Sequence, residues 1–357
     1  MNLILPVTPR SRRAPRRAVA LAAALALAPA AAALVPAPAA AQAGVVKLAT
    51  LVPEGSVWDK ALREMGAQWS ASTQGRVTLR VYPGGVAGDE PDVVRKMRFG
   101  QLQAAALTAV GLGEIDKSVT ALQLMPMTFR SWEEVDYVLE KMAPRLDKDF
   151  ADKGFVVLFW TYAGWVKFFS KQPGLYPEDY KKMKIFAWAG GVEEQNLMKS
   201  LGYNPVPLEP TDILPGLQTG LITAVPAPVV FANAAQYYNQ APYMLDLNWA
   251  PIVGGAVITK KTWDKFPPAT QQALRKAATD AGQKIKTRSR QESDEAVEAM
   301  KKRGLKVQPV SPEVEAVWRQ VAESVYPSIR GKMVPAGEFD EVHRLLKEFR
   351  ARPKPAP

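Results

Sequence analysis

The sequence predicts an α/β protein built from two successive blocks of strands and helices, followed by a long helix. Two observations indicate this fold class. Apolar or alternating segments of strand length recur between segments with helical periodicity, and the region after residue 263 is rich in Ala, Lys, Gln and Glu. A β-α-β-α-β order implies a parallel sheet with helices on its faces.

In the first block, short strands alternate with helices that have clear start signals. Ser56 is a suitable N-cap for a helix that ends near Ser72. The strand after this helix alternates apolar and polar residues, which indicates one buried face. Strands are predicted at 45–51, 76–82 and 102–110, and helices at 56–72 and 90–99.

The second block begins with an apolar run that predicts a strand buried on both faces. Its last strand is expected to return toward the first block. A helix that contains Gly282 follows and is long enough to span two lobes. Strands are predicted at 155–160, 182–188 and 248–259, and helices at 193–200, 211–219 and 263–303.

The composition excludes several kinds of chemistry. The 357 residues are enough for two domains, but the chain has no cysteine and only one histidine, His343. Disulfides, thiolate metal sites and a thiol nucleophile are therefore excluded. A metal site usually needs more than one histidine or cysteine ligand, and the chain has a single histidine. We expect no enzymatic activity, no cofactor and no metal site.

The first 43 residues predict an export signal. Five arginines between positions 10 and 17 precede an Ala/Leu-rich run, and a small-residue motif ends at Ala43, where we expect cleavage. Pro29 interrupts the apolar run, which is short for a membrane span. Removing these five arginines lowers the net charge from +11 to +6. The mature chain has no basic stripe with interleaved aromatic residues, so we expect no nucleic-acid partner.

Four segments stand out in order along the mature chain. They are LATLVPEGSVWDKAL at 48–62, GRV with VYPGG and GDE at 75–90, LGYNPVP with LQTG at 201–220, and ITKKTWDKFPP at 258–268. Together they resemble the DctP-like extracytoplasmic solute receptors of TRAP transporters. The resemblance implies a periplasmic receptor that closes on a small solute and delivers it to TRAP membrane subunits.

The resemblance also implies a two-lobed periplasmic solute-binding protein fold. In this fold, helices flank mixed sheets, and hinge strands and a long kinked helix link the lobes. Lobe I is expected at residues 44–164 and 253–292, and lobe II at residues 165–252 and 293–350, with a flexible tail at 351–357. A cleft between lobes is a usual site for a small ligand.

Three positions that match the carboxylate anchors of the family hold apolar residues here. Family receptors bind organic acids through a bidentate arginine, whose planar group offers two parallel donors. The matching arginine positions hold Phe186 and Val166, and Ala227 stands where an asparagine is usual. The sequence thus resembles the subset of these receptors without the arginine clamp. That subset works with an accessory tetratricopeptide-repeat protein and is associated with hydrophobic solutes.

Aromatic residues are frequent in the segments that match the cleft, which favours an apolar or aromatic solute. Two acids on turns and one threonine at a strand end are the polar candidates. The predicted ligand-binding residues are Glu54, Trp58, Asp89, Thr108, Trp160, Tyr162, Trp165, Phe186, Trp188, Ala227, Phe231 and Trp249.

Three other interpretations stay open at this point. Glu54 and Asp89 could hold a calcium ion that bridges to a polar organic acid. An exported hydrolase would need a pair of carboxylates in a cleft, because histidine and cysteine chemistry is nearly absent. A structural protein that has lost solute binding would fill the cleft with its own side chains.

Overall fold

The computed structural model describes residues 44–352. The predicted export signal at 1–43 and the end of the predicted tail, 353–357, lie outside the described residues. The first block contains β1 (Gly44–Thr50), α1 (Val57–Ser72), β2 (Val77–Tyr82), α2 (Glu90–Arg98), β3 (Ala104–Thr108) and α3 (Ala109–Gly113). The predicted alternation of strands and helices in this block is confirmed.

The second block follows a short 3-10 helix at Lys117–Leu122. It contains α4 (Trp132–Asp152), β4 (Phe155–Ser170), α5 (Pro177–Lys181), β5 (Lys184–Trp188), α6 (Val192–Ser200), β6 (Asn204–Leu208), α7 (Ile213–Thr219), β7 (Ala224–Pro228), α8 (Val229–Ala234), β8 (Tyr243–Leu245) and β9 (Pro251–Thr259). The chain continues through α9 (Lys260–Trp263), α10 (Pro268–Lys301), β10 (Lys306–Gln308), α11 (Pro312–Ser324), α12 (Tyr326–Ile329) and α13 (Ala336–Arg350).

The strands pair in two mixed sheets that share β4. In one sheet, β1 lies between β2 and β3 and is parallel to both, and β9 runs antiparallel between β3 and β4. In the other, β5 lies between β6 and β7 and is parallel to both, while β4 runs antiparallel to β7 and β8. The expected mixed sheets flanked by helices are confirmed, and the residue boundaries of the lobes remain a prediction.

Strand β4 is much longer than predicted, because it pairs with strands of both sheets. Its residues from Phe155 to Trp165 pair with β9, and those from Val166 to Ser170 pair with β7. The register shifts at Gly164, which has a φ of 129°. A glycine inside a strand is typical of such a bulge, which changes the face that the following side chains occupy.

The long helix predicted after residue 263 is confirmed as α10, but it starts later. Pro267 and Pro268 delay its start, because proline suits the first helical position and has no N–H to donate further inside. The helix packs against α1 and β4. At Gly282 a Cβ would lie 2.7 Å from the Cβ of Phe159, so the glycine permits this close approach.

Strand β3 ends at Thr108, two residues before the predicted end. The Thr108 hydroxyl accepts a hydrogen bond from the Val110 N–H and caps α3, so the chain turns into a helix there. Among residues 44–352, no helix combines the length and the apolar character that crossing a membrane requires.

Candidate functional site

A cavity of about 480 Å³ lies at the carboxyl ends of strands β1, β3, β5 and β7. The last residue of each strand lines it, and these residues are Thr50, Thr108, Trp188 and Pro228. Both sheets contribute to its walls. In α/β proteins, ligands bind outside this edge of the strands, so the topology favours a binding site here.

The cavity wall is largely apolar and carries no basic group. Val166, Phe186 and Ala227 all line it, so the three positions expected to hold polar anchors face one space. Among the described residues that line the cavity, none is Arg, Lys or His. Lys167, next to Val166 on β4, instead forms an ion pair of 2.6 Å with Asp246. The described part of the wall therefore offers no arginine or lysine with which to clamp a carboxylate.

Seven of the predicted ligand-binding residues line this cavity. The ring of Trp249 packs against Phe168 and Trp318 with centroid separations of 5.5 and 5.8 Å, which fixes one aromatic wall. Trp318 comes from α11 and was not among the predicted contacts. The seven predicted residues are Trp58, Thr108, Phe186, Trp188, Ala227, Phe231 and Trp249.

Three predicted aromatic contacts on β4 lie outside the cavity, and these predictions are corrected. Trp160 Nε1 donates a hydrogen bond of 2.7 Å to Asp147 Oδ1. The ring of Tyr162 stacks on Trp132 at 4.1 Å, and Trp165 packs on the same ring at 4.8 Å. These side chains pack instead against α4, in the case of Trp160 near its C-terminal end.

The bulge at Gly164 explains why Trp160 and Tyr162 face away from the cavity. Trp165, in contrast, faces away from its neighbour Val166 by ordinary alternation. Ala163, Val166 and Phe168 line the cavity, although strict alternation would place residues 163 and 166 on opposite faces. Tyr162 and Trp165 therefore share the opposite face. In the sequence, Gly164 was the only residue that indicated this switch of side-chain face along β4.

The two predicted acidic contacts also lie outside the cavity. The side chain of Glu54 is 79% exposed and pairs with Arg63 at 3.3 Å. Asp89 Oδ2 accepts a hydrogen bond of 2.5 Å from Trp188 Nε1, and Asp89 faces a separate pocket together with Glu209. Burial, followed by the hydrogen bond and charge of Asp89, raises the pKa of Glu209.

The alternative of a calcium bridge between Glu54, Asp89 and an acid lacks a ligand set among the described residues. Calcium takes six to eight oxygen ligands, most of them from carboxylates and carbonyl groups. Within the part of the chain that the structure describes, no group of three or more acidic, histidine or cysteine side chains is placed to hold a metal ion. Glu54 and Asp89 therefore do not assemble a cation site in this structure.

Sequence reasoning missed Glu90, a carboxylate in the cavity wall that is only 1% exposed. Its Oε1 accepts a hydrogen bond of 2.8 Å from Thr108 N, and its Oε2 accepts bonds of 2.7 and 2.8 Å from Thr108 Oγ1 and Gly111 N. Burial raises the pKa of Glu90 to about 7, although these hydrogen bonds lower it. Glu90 lies in the first turn of α2, where an acid is favourable because of the helix dipole. The sequence therefore gave no reason to assign it to the cavity.

A second carboxylate, Glu194 in the first turn of α6, also lines the cavity. Its side chain is exposed, and desolvation by the protein around it raises the pKa of the carboxylate. Among the described residues, no hydrogen bond or opposite charge offsets this effect. No sequence signal distinguished it from its neighbour Glu193.

The sequence matches the model of one protein family over most of its length. The model of the DctP family, described as bacterial extracellular solute-binding protein, family 7, matches residues 48–332. This chain belongs to the DctP family. The match covers both blocks of the DctP-family chain and its long helix, so the predicted resemblance is confirmed.

Relatives of this DctP-family protein share its fold at low sequence identity. A solute-binding protein of Chromohalobacter salexigens is 25% identical over 224 residues, which are 62% of this chain and 66% of that protein. A TRAP periplasmic solute-binding protein of Ralstonia eutropha aligns with a TM-score of 0.79 at 20% identity, covering 85% of this chain and 99% of that chain. One from Xanthobacter autotrophicus aligns with a TM-score of 0.77 at 21% identity, with the same coverage. The predicted two-lobed solute-binding fold is thereby confirmed.

The two solved relatives hold acids or sugar acids. The structure from Ralstonia eutropha holds (S)-2-acetolactate, and that from Xanthobacter autotrophicus holds β-D-galacturonate. These ligands differ from the apolar or aromatic solute that the sequence led us to expect. That expectation gains no support from the relatives and depends on the cavity of this DctP-family protein alone.

Proposed function

We propose that this TRAP-type periplasmic solute receptor binds a solute with an apolar or aromatic body and delivers it to TRAP membrane subunits. The observation that carries the proposal is the wall to which Val166, Phe186 and Ala227 contribute. All three occupy positions where the resemblance implies polar anchors. No basic side chain occurs elsewhere among the described residues that line the cavity.

The energetics of desolvation favour this solute class over an organic acid. A buried charge left without its partner costs on the order of 2–5 kcal/mol, which is roughly thirtyfold or more in affinity. The aromatic surfaces of Phe186, Trp188 and Trp249 offer large contact area instead. The volume of about 480 Å³ lies within the range of small-molecule pockets.

Closure of two lobes accounts for delivery of the solute. We place lobe I at residues 44–164 and 253–292 and lobe II at residues 165–252 and 293–350. With this division, the hydrogen bond between Trp188 Nε1 and Asp89 Oδ2 would join the two lobes at the cavity rim. Only a closed receptor presents both lobe surfaces to the membrane subunits in one arrangement.

Export and partners complete the proposed function. We propose that the chain is cleaved after Ala43 and acts in the periplasm as a binding protein without enzymatic activity. An accessory tetratricopeptide-repeat protein is the expected partner besides the membrane subunits, by resemblance to the subset without the arginine clamp.

Identification of the compound that the receptor carries tests the proposal. Residues 44–357 are purified without refolding and denatured, and the released small molecules are identified by mass spectrometry. We expect an apolar or aromatic compound in near-stoichiometric amount. A calorimetric titration with galacturonate, the ligand of a solved relative, is the control and should show no binding.

Three results would contradict the proposal. Release of a small organic acid would show that other groups replace the missing arginines, and sensitivity of its binding to a chelator would indicate a cation bridge. Conversion of the released compound by the purified protein would indicate a hydrolase. A compound-free protein with no ligand in a thermal-shift screen would indicate that solute binding has been lost.

A further inference from the structure

The charged groups in the cavity wall are all of one sign. Glu90 and Glu194 line the cavity, and no Arg, Lys or His does so among the described residues. The strand ends set the position of the cavity and apolar residues form most of its wall, so neither acid is needed to form it. A solute in this cavity therefore meets acidic groups and no basic group among the described lining residues.

Glu194 is the acid that a solute can reach. Its side chain is exposed and lines the cavity, so a solute that enters the cavity can contact it. No hydrogen bond or opposite charge from the described residues compensates the carboxylate. A bound solute that covers this carboxylate would leave it at a cost unless a positive group of the solute pairs with it.

The helix dipole alone does not explain this acid. Glu193 and Glu194 both lie in the first turn of α6, where a negative charge is favourable. Glu193 is exposed and does not line the cavity, so it already supplies this local stabilisation. Glu194 adds a second charge that faces the apolar space.

Glu90 differs because the protein already satisfies its oxygens. Three donors, from Thr108 and Gly111, hold the carboxylate in place. It is almost completely buried, and burial raises its pKa to about 7, so it is partly ionised near neutral pH. Its ionised form adds to the negative charge of Glu194 and disfavours an anionic solute.

The aromatic lining is the second feature that suits a positive charge. Phe186, Trp188, Phe231 and Trp249 line the same cavity. The faces of aromatic rings attract cations through the ring quadrupole, most strongly where water is excluded. Carboxylates and aromatic faces in one cavity therefore favour the same class of ligand group.

We propose that the solute carries a positively charged nitrogen on its apolar or aromatic body, and that Glu194 binds this nitrogen. The solute class is thus an aromatic or aliphatic amine or quaternary ammonium compound. This inference rests on the proposed function, because it names the charge of the solute that the apolar cavity holds.

Three probes that share a naphthalene body separate the charge from the apolar contact. They are 2-naphthylmethylamine, 2-naphthylmethanol and 2-naphthoate, which are positive, neutral and negative at neutral pH. Dissociation constants are measured by calorimetry for the mature protein, for Glu194→Gln and for the matched control Glu193→Gln. We expect the amine to bind at least about tenfold more tightly than the alcohol.

The variants assign this preference to one residue. Glu194→Gln should abolish the preference for the amine over the alcohol, and urea unfolding of the variant shows that it is folded. Glu193→Gln should retain the preference. Equal binding of amine and alcohol, or an amine preference that survives in Glu194→Gln, would overturn the inference while the apolar receptor stands. Tightest binding of 2-naphthoate, or no binding of any probe, would overturn both.

Discussion

Replacing Glu90 with Gln should remove a pH-dependent loss of stability. Glu90 is almost completely buried, and the pKa of its carboxyl group is raised by burial to about 7 from its ordinary value of 4.5. An acid with a raised pKa holds its proton more tightly in the folded protein than in the unfolded chain. Its contribution to the free energy of unfolding is therefore complete below the unfolded pKa and is lost as the pH rises toward the folded pKa.

The size of this effect follows from the two pKa values. One pKa unit corresponds to about 1.4 kcal/mol, so the wild-type protein should lose roughly 2 kcal/mol through Glu90 between about pH 5 and pH 7. The Gln variant lacks this loss but carries a constant cost. Its amide offers one oxygen to three donors from Thr108 and Gly111, so at least one donor is left unpaired, at about 1–3 kcal/mol.

Urea unfolding at several pH values, followed by tryptophan fluorescence, measures both proteins. The variant should be less stable than the wild type near pH 5, and the gap should narrow by about 2 kcal/mol toward pH 7. Glu194 and Glu209, whose pKa values are also raised, titrate in both proteins, so the difference isolates Glu90. A gap that stays constant, or that widens as the pH rises, would refute the reasoning.

Three further predictions concern packing and the cavity. Gly254→Ala should lower the free energy of unfolding in urea by about 2 kcal/mol or more, because the new Cβ would overlap the carbonyl oxygen of Leu107, whereas Gly337→Ala has open space and should not destabilise. Trp249→Ala should weaken binding of the released compound at least about tenfold by calorimetry, and Trp160→Ala, outside the cavity, should leave it unchanged. Phe186→Arg should create affinity for galacturonate, and no gain in calorimetry would show that Phe186 does not face the ligand.

Local patterns predicted most of the elements. The N-cap at Ser56, the alternation in β2 and the helical composition of α10 are properties of neighbouring residues, and the structure contains all three elements. The length of β4 was not predictable in this way. It depends on β7 and β9, which lie far along the chain and supply its hydrogen-bond partners.

The candidate site was predictable where local patterns decide the position of a residue, and not where long-range strand pairing does. Thr108 and Trp188, at strand ends, line the cavity because the carboxyl ends of parallel strands meet at one edge. Trp160 and Tyr162 on β4 lie outside it, because the bulge at Gly164 changes the face that they occupy. Glu194 was missed because only the folded protein distinguishes it from Glu193.

The pairing of β3 with β9 also constrains when the protein can fold. Strand β3 belongs to the first block, yet β9 is the last strand of the second block. A chain that emerges from a ribosome or a translocation pore therefore cannot complete its first sheet until residue 259 has appeared. Contacts so distant in sequence slow folding. A product truncated before β9 would therefore leave one edge of β3 unpaired and open to proteolysis.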